Sequence, residues 1–295
     1  MKSKVVVLMG GTSSEREISL KSGHAVLQAL LAAGVDAVAL DLQANWVEQL
    51  IQKPMDVAFV ALHGALGEDG CVQGLLEIMG VPYTGSGVLA SALCMHKKTC
   101  KSVLSQAGLA IAEDIVMGRD GPELYPAVLK PACEGSSVGL HMLQNQHDWQ
   151  GVQPLENILW MAEKPLQGVE VAVSVLHGQA LPVVEIAPNS GVYDFVSKYT
   201  SGATNYYCPA RLKQRQLDAC AELARHAVAA CYCRGAPRVD MIVLEKKGPV
   251  ILEINTVPGM TSTSLLPKSA AQLGLSFEDL CLNLLEHASL DKETH

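Results

Sequence analysis

The sequence predicts an α/β protein of two or three domains, and three observations carry that expectation. Its 295 residues exceed what one small hydrophobic core organises. Residues 1–62 alternate strand-like and helix-like segments, the rhythm of a parallel sheet covered by helices. Further along, paired strand segments flank glycine-rich loops.

In chain order, residues 5–9 read as a strand, 15–33 as a helix closed by Gly34, and 35–41 and 57–62 as strands, together a Rossmann-like unit. Such sheets bind ligands at the carboxyl ends of their strands. Two of those ends carry polar loops, Gly10 to Glu15 and His63 to Gly70, and both could face one cleft. The turn residues Tyr83-Thr84-Gly85-Ser86-Gly87 mark a boundary before a helix predicted over 88–107. Strands over 127–130 and 158–163 flank a glycine-serine loop, and strands over 170–176 and 182–186 follow. The stretch 189–208 is rich in Gly, Ser, Tyr and Asn, fits neither period and is expected to be a lid. An amphipathic helix over 209–233 follows, with Pro209 near its first position and Gly235 in its C′ region.

Charge and composition exclude several partners. A formal net charge of -8 opposes nucleic-acid phosphate. No apolar run approaches the ~18 residues of a membrane span, and the apolar stretch 5–9 is too short for a signal-peptide core. A cytoplasmic protein with nine reduced cysteines is therefore expected. Cys231-x-Cys233 lacks a second ligand pair at a recognisable spacing, so no metal is expected there. The charged fraction, 18%, is below the roughly 25% of a typical soluble domain and leaves room for a subunit interface.

The most informative segment runs from Arg238 to Asn255 and reads as a hairpin turning at 245–248. Period-two alternation puts Arg238 and Asp240 on one face, with Glu253 and Asn255 opposing the apolar residues of the second strand. With Leu244 opposite Pro249, Asp240 would lie across from Glu253 and Arg238 across from Asn255. Two carboxylates about 5 Å apart repel by about 3 kcal/mol at an effective dielectric near 20, so a cation is expected between them. Two carboxylates and an amide oxygen suit Mg²⁺ shared with nucleotide phosphates; a solvated hairpin face is the plain alternative. The loop Thr256 to Pro267, with Gly259, Ser264 and Leu265, concentrates N–H groups and hydroxyls fit for an anion. The loop Glu134-Gly135-Ser136-Ser137-Val138-Gly139 could cover phosphates or be a simple hairpin turn. Neither the Walker pattern nor the dinucleotide fingerprint occurs.

Taken together, Gly10-Gly11-Thr12-Ser13-Ser14-Glu15, Ala61-Leu62-His63-Gly64, the 83–87 turn, the 134–139 loop, Lys198-Tyr199, Glu253-Ile254-Asn255 and the 258–265 loop resemble the D-alanine–D-alanine ligases of the ATP-grasp superfamily, over nearly the whole chain. The resemblance implies a three-domain ATP-grasp architecture with boundaries at 1–86, 87–166 and 167–295, the lid lying in the last. It implies an ATP-dependent enzyme that joins two D-alanine molecules through a D-alanyl phosphate for peptidoglycan precursors, acts in the cytoplasm and forms a homodimer. It assigns Lys97, Lys130, Glu163, Lys164, Leu166 and Glu170 to the nucleotide, and Asp240, Glu253 and Asn255 to two Mg²⁺ ions, with Mn²⁺ able to substitute. Glu15, Ser136 and Tyr199 would shut the site, with Glu15 holding the first ammonium group. Lys198 would meet the transferred phosphate, and Arg238 with the Gly259 N–H the oxyanion. His63 would lie near the first substrate, and Ser264 and Leu265 at the second carboxylate.

The chain departs from the family's pattern at Pro165, where relatives often carry an aromatic residue, at Ala132-Cys133 and at Val196. The 111–125 stretch looks abbreviated, which implies a small central domain. Three rivals remain: the same chemistry with D-lactate or D-serine as acceptor, a dinucleotide oxidoreductase suggested by Asp41 at a strand end, and an ATP-binding protein without turnover.

Overall fold

The computed structural model describes residues 3–135, 139–152, 158–189 and 203–291. The first sheet holds β1 (Val5–Gly10), β2 (Ala37–Leu42) and β3 (Val57–Val60) in the order β2-β1-β3, all parallel. Helices α1 (Arg16–Ala32), α2 (Trp46–Gln52) and α3 (Cys71–Met79) cover it. All six residues of β1 are buried, as a strand covered on both faces must be. Alternation splits them between two cores: Val5, Val7 and Met9 meet Val26 and Leu30 of α1, while Val6 and Leu8 meet Leu50, Val72 and Leu76. Gly34, at φ 77°, turns the chain from α1 into β2, a conformation that strains any residue with a Cβ.

The helix expected over 88–107 is two helices, α4 (Val88–Met95) and α5 (Lys97–Gln106). His96 leaves helical geometry at φ -91°, ψ 87° and caps α5, its Nδ1 accepting from Thr99 N at 3.2 Å. The Lys97 N–H donates to the Ala132 carbonyl at 2.9 Å, which ties the break to the next sheet. That antiparallel sheet runs β4-β9-β7-β8, from β4 (Asp114–Ile115), β7 (Ala127–Pro131), β8 (His141–Leu143) and β9 (Trp160–Glu163), beside the small hairpin of β5 (Met117–Gly118) and β6 (Gly121–Pro122) and the helix α6 (Gln146–Gly151). Its core among the described residues is small, built on Ile115, Ala127, Leu129, Leu143 and Ala162.

The third sheet is antiparallel, in the order β13-β12-β10-β14-β15: β10 (Val169–Leu176), β12 (Val184–Pro188), β13 (Thr204–Tyr207), β14 (Arg238–Leu244) and β15 (Gly248–Asn255), with β11 (Gln179–Ala180) folded back on β10. Val171, Val173 and Val175 pack with Val239, Met241 and Val243 against α7 (Gln214–Ala230) and against Cys100 and Leu104 of α5. After α8 (Leu265–Ala271), the last helix, α9 (Phe277–Glu286), returns to the first sheet and buries Leu280, Cys281 and Leu284 beside α1.

Three expectations need correction. The stretch 189–208 is not irregular throughout, because β13 pairs with β12 from Thr204 to Tyr207; residues 190–202, with Lys198, Tyr199 and Val196, lie outside the described residues. The helix expected from Pro209 begins at Gln214. Ala210 N donates to Val183 O and Arg211 is held by Glu185, so this segment lies along β12 before turning into α7. Gly235, at φ 77°, therefore falls beyond the cap at Cys231 instead of at C′. The hairpin turn is also tighter than expected, with Leu244 opposite Gly248. A bulge between Asp240 and Met241 then restores the offset, so Asp240 faces Glu253 and Arg238 faces Asn255. Among the described residues no helix is long and apolar enough to cross a membrane.

Candidate active site

The polar ends of all three sheets open into one cleft. Its walls include Glu15, His63 and Glu68 from the first sheet, Lys97 and Gly135 from the second, and Arg238, Glu253, Asn255, Gly259, Ser264 and Leu265 from the hairpin and the loop after it. At about 290 Å³ it sits at the small end of ligand cavities, which run from ~300 to ~1,000 Å³.

Glu15 occupies the N-cap position of α1, but its side chain makes no cap hydrogen bond and is buried. It turns toward the glycine-serine loop: a Cβ on Gly135 would lie 2.7 Å from its Oε2. Only a glycine lets that loop approach so closely. The loop is anchored from below, where Lys97 Nζ donates to the Glu134 carbonyl at 2.6 Å.

Lys97 also pairs with Glu253, Nζ to Oε2 at 3.2 Å. Burial alone would lower the pKa of this ammonium, but Glu253 and then Glu68 outweigh burial and hold it above its ordinary value. On the neighbouring strand, Arg238 grips both oxygens of Asp240, each at 2.7 Å. The repulsion expected between Asp240 and Glu253 is thus met by one protein cation on each carboxylate. Asp240 is buried behind the cleft, whereas Glu253 and Asn255 face it. Asn255 Oδ1 accepts from Val257 N at 3.0 Å, which orients the amide.

His63 lies where β3 leaves the sheet and is buried. Burial, with the Arg238 charge adding to it, outweighs a hydrogen bond to Val257 and lowers its pKa to about 4. It is therefore neutral at pH 7 and bonds Ser22, 3.2 Å from Nε2. Ser22 Oγ in turn accepts from Met260 N at 3.1 Å, so this chain joins the first sheet to the loop carrying Gly259 and Ser264. In that loop Ser264 Oγ accepts from Thr261 N at 3.0 Å, and a Cβ on Gly259 would lie 2.9 Å from it.

Sequence reasoning missed Glu68. It is buried, accepts from Gly64 N at 2.8 Å, and its carboxyl is pushed up to about 8, first by burial and then by the Glu15 charge. Its place in the polar loop after β3, the same loop that drew attention to His63, was the available signal. Lys101, one helical turn after Lys97, was also missed: it is buried and bonds both Glu163 and Asp114.

The remaining expected nucleotide residues lie outside the cleft wall. Lys130 Nζ pairs with Glu163 at 2.7 Å, and the two lysines hold the Glu163 carboxyl below its ordinary range despite burial, the largest opposing influence. Both Glu163 oxygens are so engaged, and its backbone stands between Asp114 and Val128 of the flanking strands. Lys164 is half exposed and pairs with Glu113, and Leu166 and Glu170 are partly exposed along the path from β9 into β10. Ser136 lies outside the described residues.

The chain matches family models described as D-ala D-ala ligase N-terminus over residues 44–86 and D-ala D-ala ligase C-terminus over residues 104–286. A D-alanine–D-alanine ligase of Anaeromyxobacter sp. (strain K) is 46% identical over 97% of both chains. A crystal structure of the D-alanine–D-alanine ligase of Bacillus anthracis complexed with ATP superposes with a TM-score of 0.83 at 30% identity, covering 97% of this chain and 96% of that one. The VanG D-Ala:D-Ser ligase of Enterococcus faecalis gives the same TM-score at 27% identity, covering 97% and 99%.

Proposed function

The chain belongs to the D-alanine–D-alanine ligase family, and from that premise we propose that it uses ATP to join two D-alanine molecules, in the cytoplasm, for peptidoglycan precursors. The observation that carries the reading is the convergence of Glu15, Lys97, Arg238, Glu253 and Asn255 on one small cleft. We read the domains as 1–86, 87–166 and 167–295, with α9 returning to the first.

The carboxylate of the first D-alanine attacks the γ-phosphorus of ATP, ADP leaves, and an acyl phosphate forms. Glu15 holds that substrate's ammonium group, and neutral His63 fixes the wall beside it. Lys97, anchored between the Glu134 carbonyl and Glu253, neutralises phosphoryl charge. The amine of the second D-alanine, having lost a proton, then attacks the acyl carbon. Arg238 and the Gly259 N–H meet the developing oxyanion, and inorganic phosphate departs with the bridging oxygen. Ser264 and Leu265 receive the second carboxylate.

Glu253 and Asn255 present oxygens to the cleft, and Asp240, whose oxygens Arg238 holds, would join them on releasing that arginine, giving an oxygen-only donor set that suits Mg²⁺ and, in its place, Mn²⁺. Two such ions would supply charge neutralisation on the nucleotide's terminal phosphates. The nucleotide roles of Lys130, Glu163, Lys164, Leu166 and Glu170 rest on the family resemblance, since these residues stand outside the cleft wall. To Ser136, Lys198 and Tyr199, which lie outside the described residues, the family resemblance assigns the shielding of the acyl phosphate from water. Homodimer formation is part of the same reading.

The test is phosphate release with ATP, Mg²⁺ and a panel of D-amino and D-hydroxy acids. Phosphate and D-alanyl-D-alanine should appear in equal amounts. Product only with D-lactate or D-serine as acceptor would change the substrate, and no turnover with any of them would leave an ATP-binding protein.

A further inference from the structure

Three of the nine cysteines meet in one place, and a fourth, Cys233, reaches one of them. Cys94 ends α4, Cys100 lies in α5, and Cys231 and Cys233 follow α7, so residues more than a hundred positions apart converge. The sulfurs of Cys94, Cys100 and Cys231 all lie within 4.8 Å of one another and are buried. Cys94 Sγ is 3.5 Å from Cys233 Sγ, and Cys100 Sγ is 3.9 Å from Cys231 Sγ. The fold thus brings Cys94 and Cys100 beside Cys231 and Cys233, a neighbourhood that the spacing of Cys231-x-Cys233 does not announce.

Those distances discriminate between two fates for the thiols. A disulfide needs sulfurs about 2 Å apart. Four thiolates around a tetrahedral Zn²⁺, with metal–sulfur bonds of ~2.3 Å, stand about 3.8 Å from each other. Two of the sulfur pairs, at 3.5 Å and 3.9 Å, stand near that spacing, while Cys233 touches Cys94 but lies outside the group formed by the other three and has to turn inward to complete the set. The surroundings are apolar, with Leu104, Ala227 and Val228 in the same core, and sulfur ligands suit Zn²⁺ better than a harder ion.

We propose that Cys94, Cys100, Cys231 and Cys233 form a structural tetrathiolate site for one Zn²⁺ ion, distinct from the oxygen ligands of the cleft. Binding replaces four S–H bonds by four Zn–S bonds and releases the four protons to solvent; no electron is transferred. The ion would clamp the end of α7 to both sides of the helix break at His96. That break presents Lys97, and Cys94 itself reaches the cleft wall. The site thus fixes the frame from which Lys97 meets Glu253.

The experiment uses the full chain, purified under reducing conditions after growth with zinc and dialysed against EDTA. Elemental analysis should find one zinc per chain. Replacement by Co²⁺ should give the intense sulfur-to-cobalt charge-transfer band and the ligand-field bands of a tetrahedral thiolate site, a signal that an ion on Glu253 and Asn255 cannot produce. Cys100→Ser and Cys231→Ser should lose the ion and the band, while Cys71→Ser, on the exposed face of α3, keeps both. Because the cobalt spectrum is read on the unmutated protein, a variant that fails to fold does not weaken the test. Absence of a thiolate charge-transfer band, or nine thiols freely alkylated by iodoacetamide in the zinc-loaded native protein, would overturn the proposal. So would a Cys94–Cys233 disulfide detected by mass under the same reducing conditions.

Discussion

Lys97 Nζ lies 3.2 Å from Glu253 Oε2 and 2.6 Å from the Glu134 carbonyl, so one ammonium joins the hairpin carboxylate to the glycine-serine loop. Replacement by methionine keeps the length of the chain and removes both bonds. We expect Lys97→Met to lower kcat by about a hundredfold or more, since a preorganised charge on the transferring phosphoryl group is lost. Steady-state phosphate release at saturating ATP measures it; a loss confined to KM would show that Lys97 only binds.

Gly135 touches Glu15 so closely that a methyl group would sit 2.7 Å from its Oε2. Gly135→Ala should push either the loop or the carboxylate out of place and raise the KM for D-alanine by about tenfold, with ATP affinity in the absence of D-alanine much less affected. Initial rates across D-alanine concentration, alongside nucleotide binding by calorimetry, separate the two effects.

His63 is neutral in the fold, its pKa lowered from 6.5 to about 4 by burial. In the unfolded chain it takes up a proton below pH 6.5, so its contribution is fully present above that value and is lost as pH falls toward 4. The loss amounts to up to about 3 kcal/mol. Glu68, raised to about 8, acts in the opposite direction, its contribution being lost as pH rises through the range between 4.5 and 8. The difference between wild type and His63→Gln in urea denaturation, followed from pH 7 to pH 4, isolates the histidine. The gap in stability between the two proteins should shift in favour of the variant on acidification.

Glu253 faces the cleft with Asn255, and Asp240 stands across from it in the hairpin. Glu253→Gln should raise the Mg²⁺ concentration needed for half-maximal turnover by about tenfold or more, as loss of a charged oxygen ligand requires. Titration of phosphate release with Mg²⁺ reads this, and an unchanged midpoint would place the metal elsewhere.

The parts of this molecule legible in the sequence are those set by local periodicity. The strand of β1, the α1 helix with Gly34 at its end, and the opposition of Asp240 to Glu253 all follow from alternation and turn chemistry. The hairpin is instructive, because its turn was expected one residue too long and the bulge at Asp240/Met241 returned the offset. No local pattern announces a bulge. The break at His96 was hidden for a related reason: an uninterrupted helical pattern covers it, and what interrupts the helix is a bond from Lys97 N to Ala132 O in a distant sheet. The start of α7 likewise depends on Glu185 capturing Arg211 across 26 positions. Of the site, residues within motifs were accessible. Glu68 and Lys101 acquire their meaning only from burial beside other charges, and the cysteine cluster only from convergence of three helices.

The central claim is that a D-alanine carboxylate is phosphorylated in this cleft before the peptide bond forms. D-alanine labelled with ¹⁸O in its carboxylate, turned over with ATP and Mg²⁺, tests it most directly by mass analysis of the released phosphate. An acyl phosphate passes its bridging oxygen to phosphate, so each dipeptide formed should leave one ¹⁸O atom there. Phosphate without the label, released in step with dipeptide, would contradict the account.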